Sequence, residues 1–450
     1  MNIKEEILNI IFNHFINSHD FNGIWLEDVA KELNIDWIIL IEQLEQMIQN
    51  EEVCIQFLGN PKIIGIRHYK IGEQLEYLKN IKERKITQVP LQLIESEGVT
   101  IKMSCWDKTA QNVIYEEYYD YSNCCAYPTP KYLQKHRDLT TFENKPYSKK
   151  LALGEPTLKL YFFELAILEN YANDPRYGLE FWDVQGRIMA QNGTPQEDIY
   201  LKRFGLGVDE KEGYVIGVCL HFLHVLDAKE QTKWSLYETQ NKCQVYTEYY
   251  ENIVLGNPTN NIGVYSAFLI EQKNINDIIK QTFGKPLFRK TYEWGAHNYN
   301  QDPTHIERPQ EFSMFFIPTT KNYYFFIFLL EKMIGDNLNE EFLNSQLQKK
   351  IKSHQTGQKI EALKNWLLSL DLTNKDQTSV EGICKLFNDI HKERGIPAHE
   401  IFKNEYKSEY IIEQQKKIQH VWYALLTIRE ILEQKFSIVL DNQKFVVKSY

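Results

Sequence analysis

The sequence lacks any ordered cysteine pattern. Its seven cysteines are odd in number, are scattered along the chain and show no CxxC spacing. A disulfide framework or a structural zinc site would need thiols at short, repeated spacings. We therefore predict reduced thiols in a cytoplasmic protein.

A long apolar run is also missing. The most apolar stretch, "YYFFIFLL", covers only residues 323–330, whereas a membrane-spanning helix takes about 20 residues. The first residues, "MNIKEEILNI", are acidic and lack the basic start of a signal peptide. We expect no contact with a membrane.

The chain has no excess of basic residues and no nucleotide-binding motif. Its formal charge is −10, which argues against coating of nucleic acid along its whole surface. No P-loop, GxGxxG or GxSxG pattern occurs. His221 and His224 have a metal-ligand spacing beside Cys219, but the surrounding run is apolar and no second ligand pair follows. We predict neither a metal nor a cofactor.

The residues that are present predict a multidomain α+β protein. A length of 450 residues with 43% hydrophobic side chains is enough for two or three cores. We expect a winged-helix-like domain at 1–70, a mixed α+β domain at 71–320 and an all-α bundle at 321–450. The central domain is predicted to have a sensor or regulatory role with an unknown ligand.

Residues 1–70 resemble a winged helix-turn-helix, with three helical patterns followed by the β-rich runs "VCIQFLG" and "IIGIRHY". This segment carries five Lys or Arg against eleven Asp or Glu, and its recognition-helix position has no base at all. Phosphates would be repelled. DNA binding is therefore disfavoured, and contact with a protein partner or a trigger is favoured.

From residue 321 onward the periodicity is helical until "FSIVLDNQKFVVK", which predicts a terminal hairpin. One helix is expected to begin with Thr378 as N-cap and Glu381 as its capping-box partner. This region carries nineteen Lys or Arg and seventeen Asp or Glu. It is the part of the chain that tolerates a polyanion best.

"HKERGIPAH" contains the one pattern that suggests catalysis. Arg394 lies about 20° from the apolar stripe of its predicted helix, so its guanidinium faces the other helices. Gly395 suits a helix end and Pro397 prevents continuation. His399 is then expected just past the break, folded back toward Arg394.

An arginine and a histidine together suit metal-free cleavage of RNA. A neutral imidazole accepts the proton of a ribose 2′-hydroxyl. A guanidinium binds phosphate oxygens and opposes the charge that grows on them. The product is a 2′,3′-cyclic phosphate, and DNA is spared because it lacks the hydroxyl.

Over residues 325–435, "LFNDIHKERGIPAHEIFKNEY…IQHVWYALLTIREIL" resembles the HEPN superfamily of bacterial phage-defence and toxin proteins. The resemblance implies a metal-independent endoribonuclease with Arg394 and His399 as catalytic residues. It also implies a homodimer in which two copies of the motif face each other.

Two other interpretations stay open. The HEPN-like bundle can serve only for dimerisation and docking in a defence complex, with Arg394 bonding helix-end carbonyls and His399 on the surface. A winged-helix regulator is the third. His391 and Lys392, one turn before Arg394, either line the same cleft or are solvated.

Overall fold

The structure is a computed structural model that describes residues 3–57, 60–65, 69–83, 86–90, 114–172, 174–190, 201–211, 213–255, 261–293, 306–307, 312, 317–348, 356–399, 403–438, 440 and 446–448. The chain is a mixed α+β protein with a helical C-terminal region, as the sequence predicts. It divides into two compact units, Met1–Glu164 with Pro195–Asn257 and Leu165–Thr194 with Pro258–Tyr450. The predicted domain boundaries at residues 70 and 320 stay predictions.

The elements follow in chain order. Up to Glu164 they are α1 Ile3–Asn17, β1 Ile24–Trp25, α2 Leu26–Leu33, α3 Trp37–Gln49, β2 Val53–Phe57, α4 Ile71–Lys82, β3 Ile86–Pro90, β4 Ile114–Tyr118, β5 Cys124–Pro128, α5 Pro130–His136, α6 Pro146–Ala152 and β6 Leu160–Glu164. Up to Leu255 they are α7 Glu169–Ala172, β7 Tyr177–Trp182, β8 Gln185–Ala190, β9 Leu201–Asp209, β10 Tyr214–Cys219, α8 Leu220–Leu223, α9 Ala228–Ser235, β11 Cys243–Val245, α10 Thr247–Tyr249 and a π-helical turn Tyr250–Leu255. The remainder are β12 Asn261–Gly263, α11 Val264–Phe283, β13 Tyr292–Glu293, β14 Ile306–Glu307, α12 Thr320–Glu331, a second π-helical turn Lys332–Asp336, α13 Glu340–Leu347, α14 Thr356–Leu368, α15 Asn374–His399, α16 Glu409–Phe436 and β15 Val446–Lys448.

The first unit begins with the three helices that the sequence predicts, but its sheet differs from the prediction. Buried side chains of α1 to α3 pack on an antiparallel sheet of order β1–β5–β2. Strand β2 pairs with β5, and the described residues 63–65 of the run "IIGIRHY" form a turn. In that run Ile63 N–H donates to Asn60 O, and the left-handed Gly65 continues the turn. Residues 66–68 lie outside the described residues.

The second sheet of this unit begins at β6. The run "PTLKLYFFELAILENYAND" has helical character in sequence, yet its residues 160–164 form β6. Tyr161 and Phe163 are buried and their neighbours less so, the alternation of a half-buried strand. Antiparallel pairing continues from β6 to β10, β9 and β11. A Cβ on Gly207 would lie 2.3 Å from the Gln244 carbonyl oxygen, so only glycine lets β11 approach.

The pair "HFLH" contains a buried histidine, His224. His224 Nε2 lies 3.8 Å from Asp20 Oδ1, and its side chain is only 5% exposed. The ring of His221 lies 5.9 Å away, and His19 bonds the same Asp20 oxygen. Burial lowers the pKa of His224 to about 4; Asp20 opposes this shift, whereas His221 and His19 add to it.

The buried histidine makes stability depend on pH. A folded-state pKa of about 4 lies below the ordinary value of 6.5, so below pH 6.5 the unfolded chain binds the proton more readily and stability falls on acidification. We expect His224→Gln to remove this loss. Between pH 7 and about pH 5, the wild type should lose about 2 kcal/mol more of its unfolding free energy than this variant does. Urea unfolding of both proteins at both pH values measures the difference. An equal change in unfolding free energy with pH in the wild type and the variant would contradict the prediction.

The second unit is built on helix packing. Helices α11 and α16 pack along each other, while α15 contacts α12, α14 and α16. The buried residues of α16 recur at helical spacing up to Leu432, so the helix extends through Phe436. Residues 439 and 441–445 of the predicted terminal hairpin lie outside the described residues; its residues 446–448 form β15, which pairs with β12 in parallel.

Both ends of helix α15 differ from those that the sequence predicts. It begins at Asn374, and Thr373 rather than Thr378 binds the first turn, through Asp376 N–H. It runs without a break through Gly395 and Pro397 to His399. A proline in a helix removes one hydrogen bond at a cost of about 3 kcal/mol. Contacts of Glu393 and Arg394 with α12 stabilise the adjoining turn.

Candidate active site in the helical region

Arg394 is half-exposed on α15 and faces α12. Its Nε lies 3.8 Å from Oε2 of Glu331, with the arginine side chain 36% exposed. Its guanidinium carbon stands 5.3 Å from the centre of the Phe328 ring, a distance for cation–π attraction. Glu331 and Phe328 therefore hold the Arg394 guanidinium in place while part of the side chain remains exposed to solvent.

Glu331 is the last residue of α12 and is 1% exposed. Its Oε1 lies 3.0 Å from Nδ1 of His391. Its Oε2 faces Arg394 and has no hydrogen bond within the described part of the chain. A buried carboxylate is costly unless cations or donors compensate it. His391 and Arg394, one turn apart on α15, are its compensation.

The contact with Glu331 also determines which ring nitrogen of His391 is left to accept a proton. When Nδ1 carries the proton and donates to Glu331, Nε2 is left with a free lone pair. The imidazole is 32% exposed. A Cβ built on Gly357 of α14 would lie 3.9 Å from Nε2, so the absence of a side chain at this glycine leaves room beside this edge of the ring. An orienting carboxylate, an imidazole and a guanidinium in this arrangement can supply a general base beside an anion-binding group.

Position 399 stands elsewhere on the helix. His399 ends α15, and five helical residues turn by about 140° from position 394. The predicted break that would fold this residue back is absent. The side chain of His399 lies outside the described residues. Among the described side chains, the imidazole that contacts Glu331 together with Arg394 is that of His391.

A second network holds the other side of this turn. Glu393 accepts a 2.6 Å hydrogen bond from Tyr323 Oη and another from Lys417 Nζ. The Tyr323 ring stacks on Tyr410 with centroids 4.6 Å apart. Burial, and then the bond to Glu393, raises the pKa of Tyr323 well above its ordinary range. The three helices α12, α15 and α16 are thereby tied together next to Arg394.

The π-helical turn after Glu331 gathers further cations around Asp336. Lys332 lies 3.1 Å from this carboxylate, and Lys359 and Arg289 each lie 3.6 Å from it. Burial raises the pKa of Asp336, but Lys332, Lys359 and Arg289 outweigh it and leave the pKa below its ordinary value. Such turns are frequent at functional sites. The described residues contain no group of three or more His, Cys, Asp or Glu side chains arranged for a metal ion.

No protein-family model, curated protein or solved structure matches this chain. Within the described residues, no helix has both the length and the apolar character needed to cross a bilayer.

Sequence reasoning found Arg394 but missed the carboxylate. Glu331 follows Leu330 and stands four residues after Ile327, so it continues the buried side of α12. A charge on an apolar stripe is a signal for a paired buried group. His391 was an open alternative, because nothing in the sequence alone placed a carboxylate against it.

Proposed function

We propose that the chain is a metal-independent endoribonuclease of HEPN type that acts in a bacterial anti-phage defence or toxin system. The observation that supports this function is the contact of His391 with the buried Glu331 beside the half-exposed Arg394. A base held by a carboxylate and a neighbouring phosphate-binding group are what this chemistry requires.

In the proposed reaction, Nε2 of His391 takes the proton of a ribose 2′-hydroxyl. The 2′-oxygen attacks the adjacent phosphorus, the bond to the 5′-oxygen breaks, and that oxygen leaves with a proton. Arg394 binds the phosphate oxygens and opposes their growing charge. Glu331 orients the imidazole and stabilises its protonated form.

The proposal keeps His399 and the homodimer that the HEPN resemblance implies. Since position 399 lies about 140° around α15 from position 394, His399 would serve a phosphate bound by Arg394 of a second copy. There it would give a proton to the leaving 5′-oxygen. The acidic residues 1–70 and the central region would bind a protein partner or a phage trigger.

The test is digestion of RNA in the presence of EDTA. We expect the wild type to release fragments that end in a 2′,3′-cyclic phosphate. Arg394→Ala should cut about 10²- to 10³-fold more slowly, as for loss of one oxyanion-stabilising donor. The matched control is Lys385→Ala, an exposed cation nine residues earlier on the opposite side of α15. Equal losses in both variants would contradict a specific role for Arg394.

An adaptor without catalysis is the second candidate. A groove of about 460 Å³ between α15 and α16 is lined by Ile383, Leu386, Tyr423 and Ala424 among others, and Tyr423 is 50% exposed. A half-open apolar groove suits docking of another chain. Failure of the wild type to cut RNA, both alone and when produced in phage-infected cells, would favour this function.

A further inference from the structure

One face of α12 carries a repeating basic and aromatic pattern. The pattern consists of Lys321, Phe325 and Phe328 of α12 and of Lys332, whose backbone continues the helix into the π-helical turn. These residues stand at i, i+4, i+7 and i+11, and at 100° per residue they fall within about 60° of one another. We refer to these four residues as the basic–aromatic stripe. The opposite face, with Tyr323, Phe326, Ile327 and Leu330, is buried.

The aromatic part of the stripe is accessible. Phe325 is 46% exposed, and Phe328 is partly exposed. Their rings are within 17° of parallel, with centroids 6.3 Å apart. A single exposed phenylalanine is ordinary on a protein surface. Two near-parallel rings that continue into the proposed catalytic site are a surface on which a flat ring can stack.

The surroundings of the stripe are positive. Arg394 and Lys332 lie on the Phe328 ring, with the guanidinium carbon and the ammonium nitrogen 5.3 and 5.7 Å from its centre. Two carboxylates, Glu331 and Asp336, are paired with four cations. The four are Lys332, Lys359, Arg289 and Arg394. An anion that also carries flat rings is the ligand that fits this combination.

We infer that the basic–aromatic stripe is a nucleobase subsite: an unpaired base stacks on Phe325, while Lys332 and Arg394 bind the phosphates on either side of its nucleotide. This inference rests on the proposed function, because it places the subsite beside the phosphate to be cleaved. Stacking on an exposed ring needs a base whose face is free, which a duplex does not offer. The stripe therefore makes the chain select unpaired segments of RNA.

The test separates binding from cleavage. The probe is a short single-stranded oligoribonucleotide with 2′-O-methyl groups, which no 2′-hydroxyl chemistry can cut, and its affinity for the full chain is read by fluorescence anisotropy. Phe325→Ala should weaken binding about 10- to 100-fold, as for loss of one stacked base. Phe325→Trp should retain it. Tyr423→Ala, an equally exposed aromatic on α16, should bind as the wild type does.

The salt dependence of binding gives an independent measure of the phosphate contact that Lys332 makes. Lys332→Gln should lower the slope of log affinity against log salt by about 0.7, as for one phosphate contact of a single strand. The same oligonucleotide annealed to its complement should bind more weakly than the single strand. Its affinity should be unchanged by Phe325→Ala.

Three results would overturn the inference. They are equal binding by the wild type and Phe325→Ala, a preference for the duplex, and a shift of Phe325→Ala from dimer to monomer with RNA binding intact. The last would make the stripe an interface between two copies. If the wild type binds the single strand through Phe325 but never cuts unmodified RNA, the subsite stands and the endoribonuclease proposal fails.

Discussion

Replacing His391 by alanine should slow RNA cleavage by about 10²- to 10⁴-fold, the usual contribution of a positioned general base. The imidazole is held 3.0 Å from a carboxylate that is 1% exposed, so the loss should fall on kcat rather than on KM. Single-turnover rates at saturating RNA measure it. The side chain is 32% exposed, so its removal should leave the fold intact, which circular dichroism checks.

The control is His399→Ala, tested by co-expressing pairs of inactive variants in one cell. If His399 acts only on a phosphate held by a second copy, co-expressed Arg394→Ala and His399→Ala chains form a heterodimer with one complete site. Activity then returns. Arg394→Ala and His391→Ala chains restore none, because both residues are needed in one copy. Full activity of His391→Ala would contradict the assignment of the base.

Much of the helical region could be predicted because its apolar residues keep one period. Leu363 and Leu367 on α14, and Leu425 and Leu432 on α16, are buried as their spacing indicates. Burial of a stripe is a local property that each helix shows on its own. Element ends were less predictable: Thr373 and Thr378 are equivalent as capping residues by sequence, and packing decides between them.

Strand partners could not be predicted from local patterns. Strand β2 pairs with β5, which begins 67 residues after β2 ends, and the intervening sequence contains a nearer β-rich run. Strand β15 pairs with β12 from a distant part of the chain. The cost of closing such loops grows only slowly with length, so a near neighbour has little advantage over a distant one. Side-chain packing on the core makes the choice.

The predicted helix break at Gly395 is wrong because contacts with other helices outweigh local preference. Glycine and proline weaken a helix by local preference, and a sequence pattern counts only that. In the fold, Glu393 binds Tyr323 and Lys417, and Arg394 lies on Phe328. These contacts come from α12 and α16. Their sum outweighs one missing hydrogen bond, so the helix continues to His399.

The largest effect on stability should come from Glu331. Glu331→Ala removes the shared acceptor of His391 and Arg394 and leaves a cavity at a site that is 1% exposed. Breaking a buried pair costs about 3 to 5 kcal/mol, and since His391 and Arg394 both keep a route to water, we expect about 3 kcal/mol here. Urea unfolding measures it. Glu361→Ala, an exposed carboxylate on α14, is the matched control.

Glu331→Gln separates the charge of this residue from its shape. Its amide oxygen still accepts the Nδ1–H of His391, so we expect most of the stability to be retained. The negative charge that stabilises the imidazolium during proton transfer is lost, and the cleavage rate should fall clearly below that of the wild type. A stable but slow Glu331→Gln enzyme places this carboxylate in the reaction. If Glu331→Ala is no less stable than Glu361→Ala, the carboxylate does not hold His391 and Arg394 in place, and the site has no fixed base.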